Sequence, residues 1–190
     1  MIFTGYNEEF DNMLRIRHGA GVRRYHTWPT IGEQTVAAHS WGVAMILLKL
    51  DPDISGQAVA AALAHDIAEG TTGDVPAPAK WLNPGLAYQL DVSEAQANNQ
   101  MNINYAEELN KYEFTLVKAA DMLELMFFCL EQRLLGNQRM DPIMQNGYDW
   151  MYKNISKEWR GTMNAREWAQ YLGLAYISRA GGKLSLKDHW

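Results

Sequence analysis

The sequence predicts an all-α fold. Apolar residues recur at spacings of three and four along most of the chain, and no run of period-two alternation is bounded by hairpin-type turns. Glycine, Asp-Pro and Ser/Asn positions also fall where helices of ordinary length would start and stop.

A first helix is expected over 7–18, ahead of Gly19 and Gly21, followed by an irregular polar-aromatic stretch over 22–34. A nearly all-apolar, hence central, helix follows over 35–50. Asp51-Pro52-Asp53 breaks the chain, Ser55 can cap, and an Ala-rich helix is expected to run to Glu69, with Gly70 placed to end it. The stretch 71–84 holds three of the six prolines and reads as a long loop with at most a short helical turn. Further helices are expected over 91–110, 112–135 (ended by Gly136), 142–155 (Asp141 as cap, Pro142 in the first turn) and 163–180. The tail over 181–190 is expected to be mobile or to dock on a neighbour.

The 190 residues are 47% hydrophobic and 21% charged, with 17 Lys+Arg against 22 Asp+Glu and a formal net charge of −5. A chain of this length buries roughly 70% of its unfolded surface in one core, so a single domain over 1–190 is expected without structural disulfides. No block of Lys or Arg offers a footprint for nucleic acid or an anionic membrane, so neither partner is expected. The longest purely apolar runs, 43–48 and 58–64, fall short of the ~20 residues that span a bilayer. Cys129 is the only cysteine and can form neither an intrachain disulfide nor a Cys-rich zinc site, which fits a reducing cytoplasmic compartment.

Several polar residues stand where apolar ones are expected. His39 lies in the stripe Val36, His39, Val43, Leu47, Leu50 and alone reads as a hydrogen-bonded core histidine. His65, Asp66 and Glu69 share one side of the end of the Ala-rich helix, where carboxylates oppose the helix dipole unless something positive compensates. Asp121 interrupts the stripe Phe114, Val117, Leu125, Phe128, and a buried carboxylate needs a cation or several donors; Lys118 is one structural candidate. Together two imidazoles and two carboxylates from three apolar helices can enclose one divalent cation. Such a donor set leaves positions for water and substrate and suits Mn²⁺, Co²⁺, Fe²⁺ or Zn²⁺, with Mg²⁺ a further candidate.

The order His39-Ser40, His65-Asp66, Asp121 resembles the HD-domain phosphohydrolase superfamily, whose metal site is built as H…HD…D. Arg24-Tyr25, the block His65-Asp66-Ile67-Ala68-Glu69, the run from Thr72-Gly73-Asp74-Val75-Pro76 to Lys80, and Lys118-Ala119-Ala120-Asp121 resemble the 5′-deoxynucleotidase-like group. Phage deoxynucleotide triphosphohydrolases, dATP-specific ones among them, share this layout. The resemblance covers about residues 20–130 and implies a helical HD-domain bundle around one divalent metal.

Carried over position by position, it implies that His39, His65, Asp66 and Asp121 bind the metal and that Glu69 activates or orients the attacking water. Asp74 would accept from the sugar 3′-hydroxyl. Arg24, Lys80 and Lys118 would neutralise phosphate oxygens, Tyr25 would pack on the sugar, and Thr27, with Trp28 and Ile31, would line the base pocket. Two departures stand out: Ala38 replaces a glutamate that many relatives carry before the His-Ser pair, and Tyr25 replaces tryptophan.

The expected activity is therefore hydrolysis of 2′-deoxynucleotides at a 5′ phosphate ester or triphosphate by a metal-bound water. A triphosphohydrolase, with adenine preference inherited from the phage resemblance, is favoured because three cationic side chains exceed what one phosphate needs. The alternatives are a 5′-deoxynucleoside monophosphate phosphatase and, from another class, a non-catalytic metal-stabilised nucleotide-binding or scaffold protein. No histidine lies between Asp66 and Asp121, which argues against a dinuclear site. A homo-oligomer is expected from the resemblance and from 7 Trp and 10 Met, and the compartment would be a host cell's cytoplasm if the gene is phage-borne.

Overall fold

The computed structural model describes residues 4–156 and 160–186, with side chains from residue 8 onward. In chain order the helices are α1 (Thr4–Gly19), α2 (Val36–Leu50), α3 (Gly56–Ala64), α4 (Glu69–Thr72), α5 (Ala77–Leu82), α6 (Pro84–Met101), α7 (Lys111–Leu134), α8 (Asp141–Asn154) and α9 (Arg160–Ser178). Short 3₁₀ turns lie at Tyr105–Glu108 and Gln138–Met140. The fold is mostly helical, as the periodicity predicts, with one addition: β1 (Arg23–Arg24) pairs antiparallel with β2 (Gln34–Thr35), Arg23 opposite Thr35 and Arg24 opposite Gln34. Two residues per strand are too few for an alternating pattern to register in a sequence.

The main core is built where α2, α3, α7, α8 and α9 meet, around Val43, Leu47, Leu116, Leu123, Met126, Tyr148 and Tyr176, all fully buried. Thr35 caps α2 by accepting from Ala38 N, and Ser55 caps α3 by accepting from Ala58 N. Asn110 and Glu113 form a reciprocal capping box that starts α7, which fixes the axial position of Asp121 two turns further on. A smaller apolar cluster of Val36, Ile67, Ala68, Ala97, Met101 and Ile103 ties α6 to the chain segment after α3.

Four expectations about element boundaries change. The Ala-rich helix stops at Ala64; residues 65–68 turn, and Glu69 opens a new helix, α4. Glu69 thus opens the next short helix, with its own N–H and those of Gly70 and Thr71 already taken by the carbonyls of Asp66, Ile67 and Ala68. The stretch 71–84 contains α5, and α6 begins at Pro84 because the prolines occupy first-turn positions that donate no helical hydrogen bond, with Asn83 Oδ1 accepting from Leu86 N at 3.1 Å. α6 then ends early, at Asn102, whose left-handed φ of 55° terminates it. Asp141 does not cap α8; it is the helix's first residue, and its carboxylate accepts from Tyr176 Oη at 2.8 Å.

The tail is docked on its own chain over 181–186. Leu184 and Leu186 pack against the core, and Gln145 exchanges two hydrogen bonds with the Ser185 backbone at 2.8 and 3.2 Å. Residues 187–190 lie outside the described residues. Among the described residues no helix is long and apolar enough to cross a membrane.

The end of α1 and the turn after α3 touch backbone to backbone. A Cβ on Gly19 would stand 2.2 Å from the Ile67 carbonyl oxygen, and one on Gly70 would stand 2.8 Å from Gly19 Cα. Only glycine fits at either position. Gly19→Ala is expected to cost about 1–3 kcal/mol by overpacking, read as a lower urea midpoint; unchanged stability would mean that α1 does not support the turn.

Candidate metal centre

His39 projects from the buried face of α2, His65 and Asp66 from the turn that ends α3, and Asp121 from the middle of α7. The Nε2 atoms of His39 and His65 stand 3.2 Å apart. Asp121 Oδ1 lies 3.2 Å from His39 Nε2 and 3.9 Å from His65 Nε2, and Asp66 Oδ2 lies 3.6 and 3.3 Å from the same two atoms. Donors that share one cation at ~2.1 Å are separated by about 3.0–3.4 Å when they flank it at right angles or tetrahedrally, so these spacings fit ligation of a single ion. His39, His65 and Asp121 form a divalent-metal-binding triad, one ligand atom from each lying within 4.8 Å of the others.

The far side of each ring shows why the donors face inward. His65 Nδ1 donates to the Ala62 carbonyl at 2.8 Å, and His39 Nδ1 is paired with the Glu124 carboxylate. Both partners only accept, so both Nδ1 atoms carry protons and both Nε2 atoms turn to the common point. In the absence of an ion, protons must serve there. Burial pulls His39 down, but Asp121 and Glu124 outweigh it and push its pKa up to about 9; His65 is likewise raised, by Asp66 and Asp121 against burial. A cation would displace those protons.

Glu69 stands next to this cluster, 7% exposed, with Oε2 buried and without a hydrogen-bond partner. Burial first, then repulsion from Asp66 and Asp74, pushes its pKa up to about 8. Asp66 behaves oppositely: burial alone would raise it, but His65 and Arg24 hold it far below the usual carboxylate range. Arg24 donates to Asp66 Oδ2 from β1.

Tyr25 takes a left-handed backbone, φ 56°, rare for a bulky residue. Its N–H donates to Asp74 Oδ2 at 3.0 Å, which holds that conformation and brings the loop carrying Asp74 against the turn that follows β1. The Tyr25 ring stacks on Phe128 at 4.8 Å, so one of its faces is occupied by protein. Arg24, Tyr25, His26 and Trp28 line a cleft of about 410 Å³, and Thr27 is exposed in the same turn. Lys118 and His65 line a second cavity, of about 450 Å³, with an apolar wall that includes Val117 and Phe114. Lys80, on α5, lies near enough to Glu94 to favour its charged form. The structure therefore sets Arg24, Asp66 and Glu69 beside the His39, His65, Asp121 cluster, ties Asp74 to Tyr25, and places Lys118 in a cavity shared with His65 and Lys80 on α5 near Glu94.

Sequence reasoning missed Glu124 and Gln34. Glu124 is buried one turn after Asp121, its carboxylate shared between His39 Nδ1 and Gln34 Nε2. The readable signal was a second carboxylate at i+3 from Asp121 inside an apolar helix, facing a glycine in the equally apolar α2. Ala38, noted for lacking a carboxylate, is exposed; the acid that reaches His39 comes from α7 instead.

A helical core that turns imidazoles and carboxylates onto one point beside a buried glutamate defines an HD-domain metal-dependent phosphohydrolase. Residues 12–159 match the family described as 5′-deoxynucleotidase YfbR-like, and the chain belongs to that family. It is 27% identical over 149 residues to a 5′-deoxynucleotidase of Vibrio atlanticus, covering 65% of this chain and 77% of that one. It is 35% identical over 126 residues to the dATP triphosphohydrolase of Salmonella phage PMBT28, covering 58% and 61% of the two chains. Among solved structures, the cyanophage S-2L HD phosphohydrolase DatZ, bound to dA and one catalytic Zn²⁺, shares the fold with a TM-score of 0.65 at 19% identity, covering 84% of this chain and 95% of that one.

Two predictions follow from the geometry. Purified protein is expected to hold about one divalent ion per chain by elemental analysis, and His39→Ala or Asp121→Ala to lose it, because three or four convergent donors are the minimum for such a site. In the metal-free protein the raised Glu69 retains its proton in the folded state while the unfolded chain gives it up, so its contribution to stability is full below about pH 4.5 and is lost as pH rises to about 8. Glu69→Gln is expected to gain stability relative to wild type across that interval in denaturant titrations; parallel curves would refute the raised pKa.

Proposed function

We propose that the chain hydrolyses 2′-deoxynucleoside 5′-triphosphates, with adenine preferred, and that His39, His65, Asp66 and Asp121 hold the metal that the reaction requires. The observation that carries this reading is Glu69 Oε2, a buried carboxylate oxygen with no partner beside the converged ligands. A closed structural metal site has no use for such a group, whereas a hydrolase needs a base there. The bound cation, a transition ion such as Mn²⁺, Co²⁺, Fe²⁺ or Zn²⁺ or else Mg²⁺, would polarise a phosphoryl oxygen and acidify water.

The chain's own residues do the rest. Glu69 accepts the proton of the attacking water as its oxygen bonds to the α-phosphorus; the P–O5′ bond breaks, and the nucleoside leaves with the 5′ oxygen. Arg24, tied to Asp66 at the edge of the site, meets the α-phosphate, and Lys80 and Lys118 meet the phosphates beyond it. These cations oppose charge that grows toward the transition state, which is where they raise the rate. Asp74 keeps the turn at Tyr25 in place and accepts from the 3′-hydroxyl, while Tyr25 and Thr27 border the sugar and base. The reading draws support from the similarity to a phage dATP triphosphohydrolase. A 5′-deoxynucleoside monophosphatase is the second reading, favoured by the name of the matched family.

We further propose a homo-oligomer that covers the aromatic cluster of Phe127, Trp168 and Tyr171 on α7 and α9, in which Tyr171 is 64% exposed. Light scattering coupled to size exclusion reads this directly, and a monomer would refute it.

The deciding experiment incubates the protein with Mn²⁺ or Co²⁺, and separately with EDTA, against deoxy- and ribonucleotide mono-, di- and triphosphates, and resolves the products. Metal-dependent release of nucleoside and triphosphate from dATP is expected, with Glu69→Gln retaining metal and losing at least about a hundredfold in kcat, the lower range for a general base. Turnover of monophosphates alone would establish the second reading. No turnover by metal-loaded protein would leave a nucleotide-binding or scaffold role. Lys80→Ala is expected to weaken triphosphates more than monophosphates, and equal losses would remove Lys80 from the phosphate site.

A further inference from the structure

We infer that Glu124 is a positioning residue of the metal centre: its buried carboxylate fixes His39 with the proton on Nδ1 and Nε2 turned to the cation, and thereby sets the affinity for the metal. The inference rests on the metal-centre reading above and deepens it.

Both ring nitrogens of His39 are met by carboxylates three residues apart on α7. Asp121 approaches Nε2 at 3.2 Å, and Glu124 is hydrogen-bonded to Nδ1. The second Glu124 oxygen accepts from Gln34 Nε2 at 2.7 Å, so the carboxylate is held from β2 as well as from α2. The path between helices exists because residue 42 is glycine: a Cβ there would stand 2.9 Å from Glu124 Cγ. His39 is fully buried, and Glu124 is 9% exposed.

The contrast with His65 makes the charge informative. His65 satisfies its Nδ1–H with a backbone carbonyl, at 2.8 Å, which costs no burial of charge. A neutral acceptor would serve His39 equally well if the contact only filled space or satisfied a donor. Burying a full carboxylate is costly unless something positive answers it. Beside a dication the charge has a use: it favours the ion through the ring and makes the imidazole a stronger ligand, as outer carboxylates do for metal-bound histidines. His39 also depends on this anchor more than His65 does, since it comes from a different helix than the other ligands and has no backbone acceptor of its own at Nδ1.

The test uses Glu124→Gln, which preserves the shape and an acceptor for Nδ1, removes the charge and turns an amide NH2 toward Gln34, whose own buried and unpartnered Oε1 can turn to accept from it. Wild type and variant are freed of metal and titrated with Co²⁺ in competition with a chromogenic chelator. Expected are a Kd for Co²⁺ weaker by about 10- to 100-fold, a metal-free melting temperature no lower than that of wild type, and kcat restored by excess Co²⁺ with KM for the nucleotide unchanged. A Kd within twofold of wild type would overturn the inference. Failure of the wild type itself to bind Co²⁺ would instead overturn the metal-centre reading. A second measurement needs no variant: in Zn²⁺-loaded wild type with ¹⁵N-labelled histidine, the His39 proton must reside on Nδ1, and a proton on Nε2 would refute the inference even if Glu124→Gln does not fold.

Discussion

Everything in this structure is arranged around one costly condition: two imidazole nitrogens 3.2 Å apart and two carboxylates aimed at the same point from separate elements. Such a cluster repels itself unless a cation or shared protons occupy its centre. The fold must therefore hold the donors together against their mutual repulsion, and it does so by fixing the parts of each side chain that face away from the point. His65 is tied back to its own helix, His39 to α7, and Asp66 to Arg24 of the short strand. The two imidazoles are thereby aimed at the common point by contacts on their far sides.

Close approach of backbones is what makes this possible. α3 has alanine at five of its nine positions, with Ala58, Ala61 and Ala62 buried, which lets α2 and α7 converge on its end. Gly42 admits Glu124, and the Gly19–Gly70 contact presses α1 against the segment that carries Asp66 and Glu69. These positions look like weak points in a helical sequence, since glycine costs about 1 kcal/mol relative to alanine in a helix interior. Their value lies in distances that any side chain would lengthen.

The long helices and the four converging residues were legible in the sequence because each signal was periodic or out of place. His39 and Asp121 interrupt apolar stripes; the structure fully buries Val36, Val43 and Leu47 of the first, while in the second Val117 and Phe128 are buried and Phe114 is exposed. What stayed illegible lies in contacts made at a distance in the chain. Nothing local announces that Gln34 and Glu124, 90 residues apart, share a hydrogen bond, or that Asp74 holds Tyr25 in a left-handed conformation. The proline-rich stretch misled for a different reason. Proline marks a helix start as well as a break, and only the capping side chain of Asn83 tells which applies at Pro84. The docking of residues 181–186 was not readable because two leucines are a weak pattern until Gln145 and Arg133 are seen bonded to the backbone of Ser185 and Gly181.

The deepest division of labour lies between Asp66 and Glu69, three residues apart. Asp66 is half-buried and Glu69 buried, and burial alone would raise both pKa values. Asp66 faces His65 and Arg24 and is held ionised; Glu69 faces Asp66 and Asp74 and is pushed up to about 8. The break in the helix between Ala64 and Glu69 is what permits this. On one continuous helix the two carboxylates would share a side and an environment. The four-residue turn sets Asp66 beside Arg24 and the two imidazoles, whereas Glu69 keeps a buried Oε2 that has no hydrogen-bond partner. Two carboxylates three residues apart thus acquire opposite protonation behaviour from the charges that the turn places beside each.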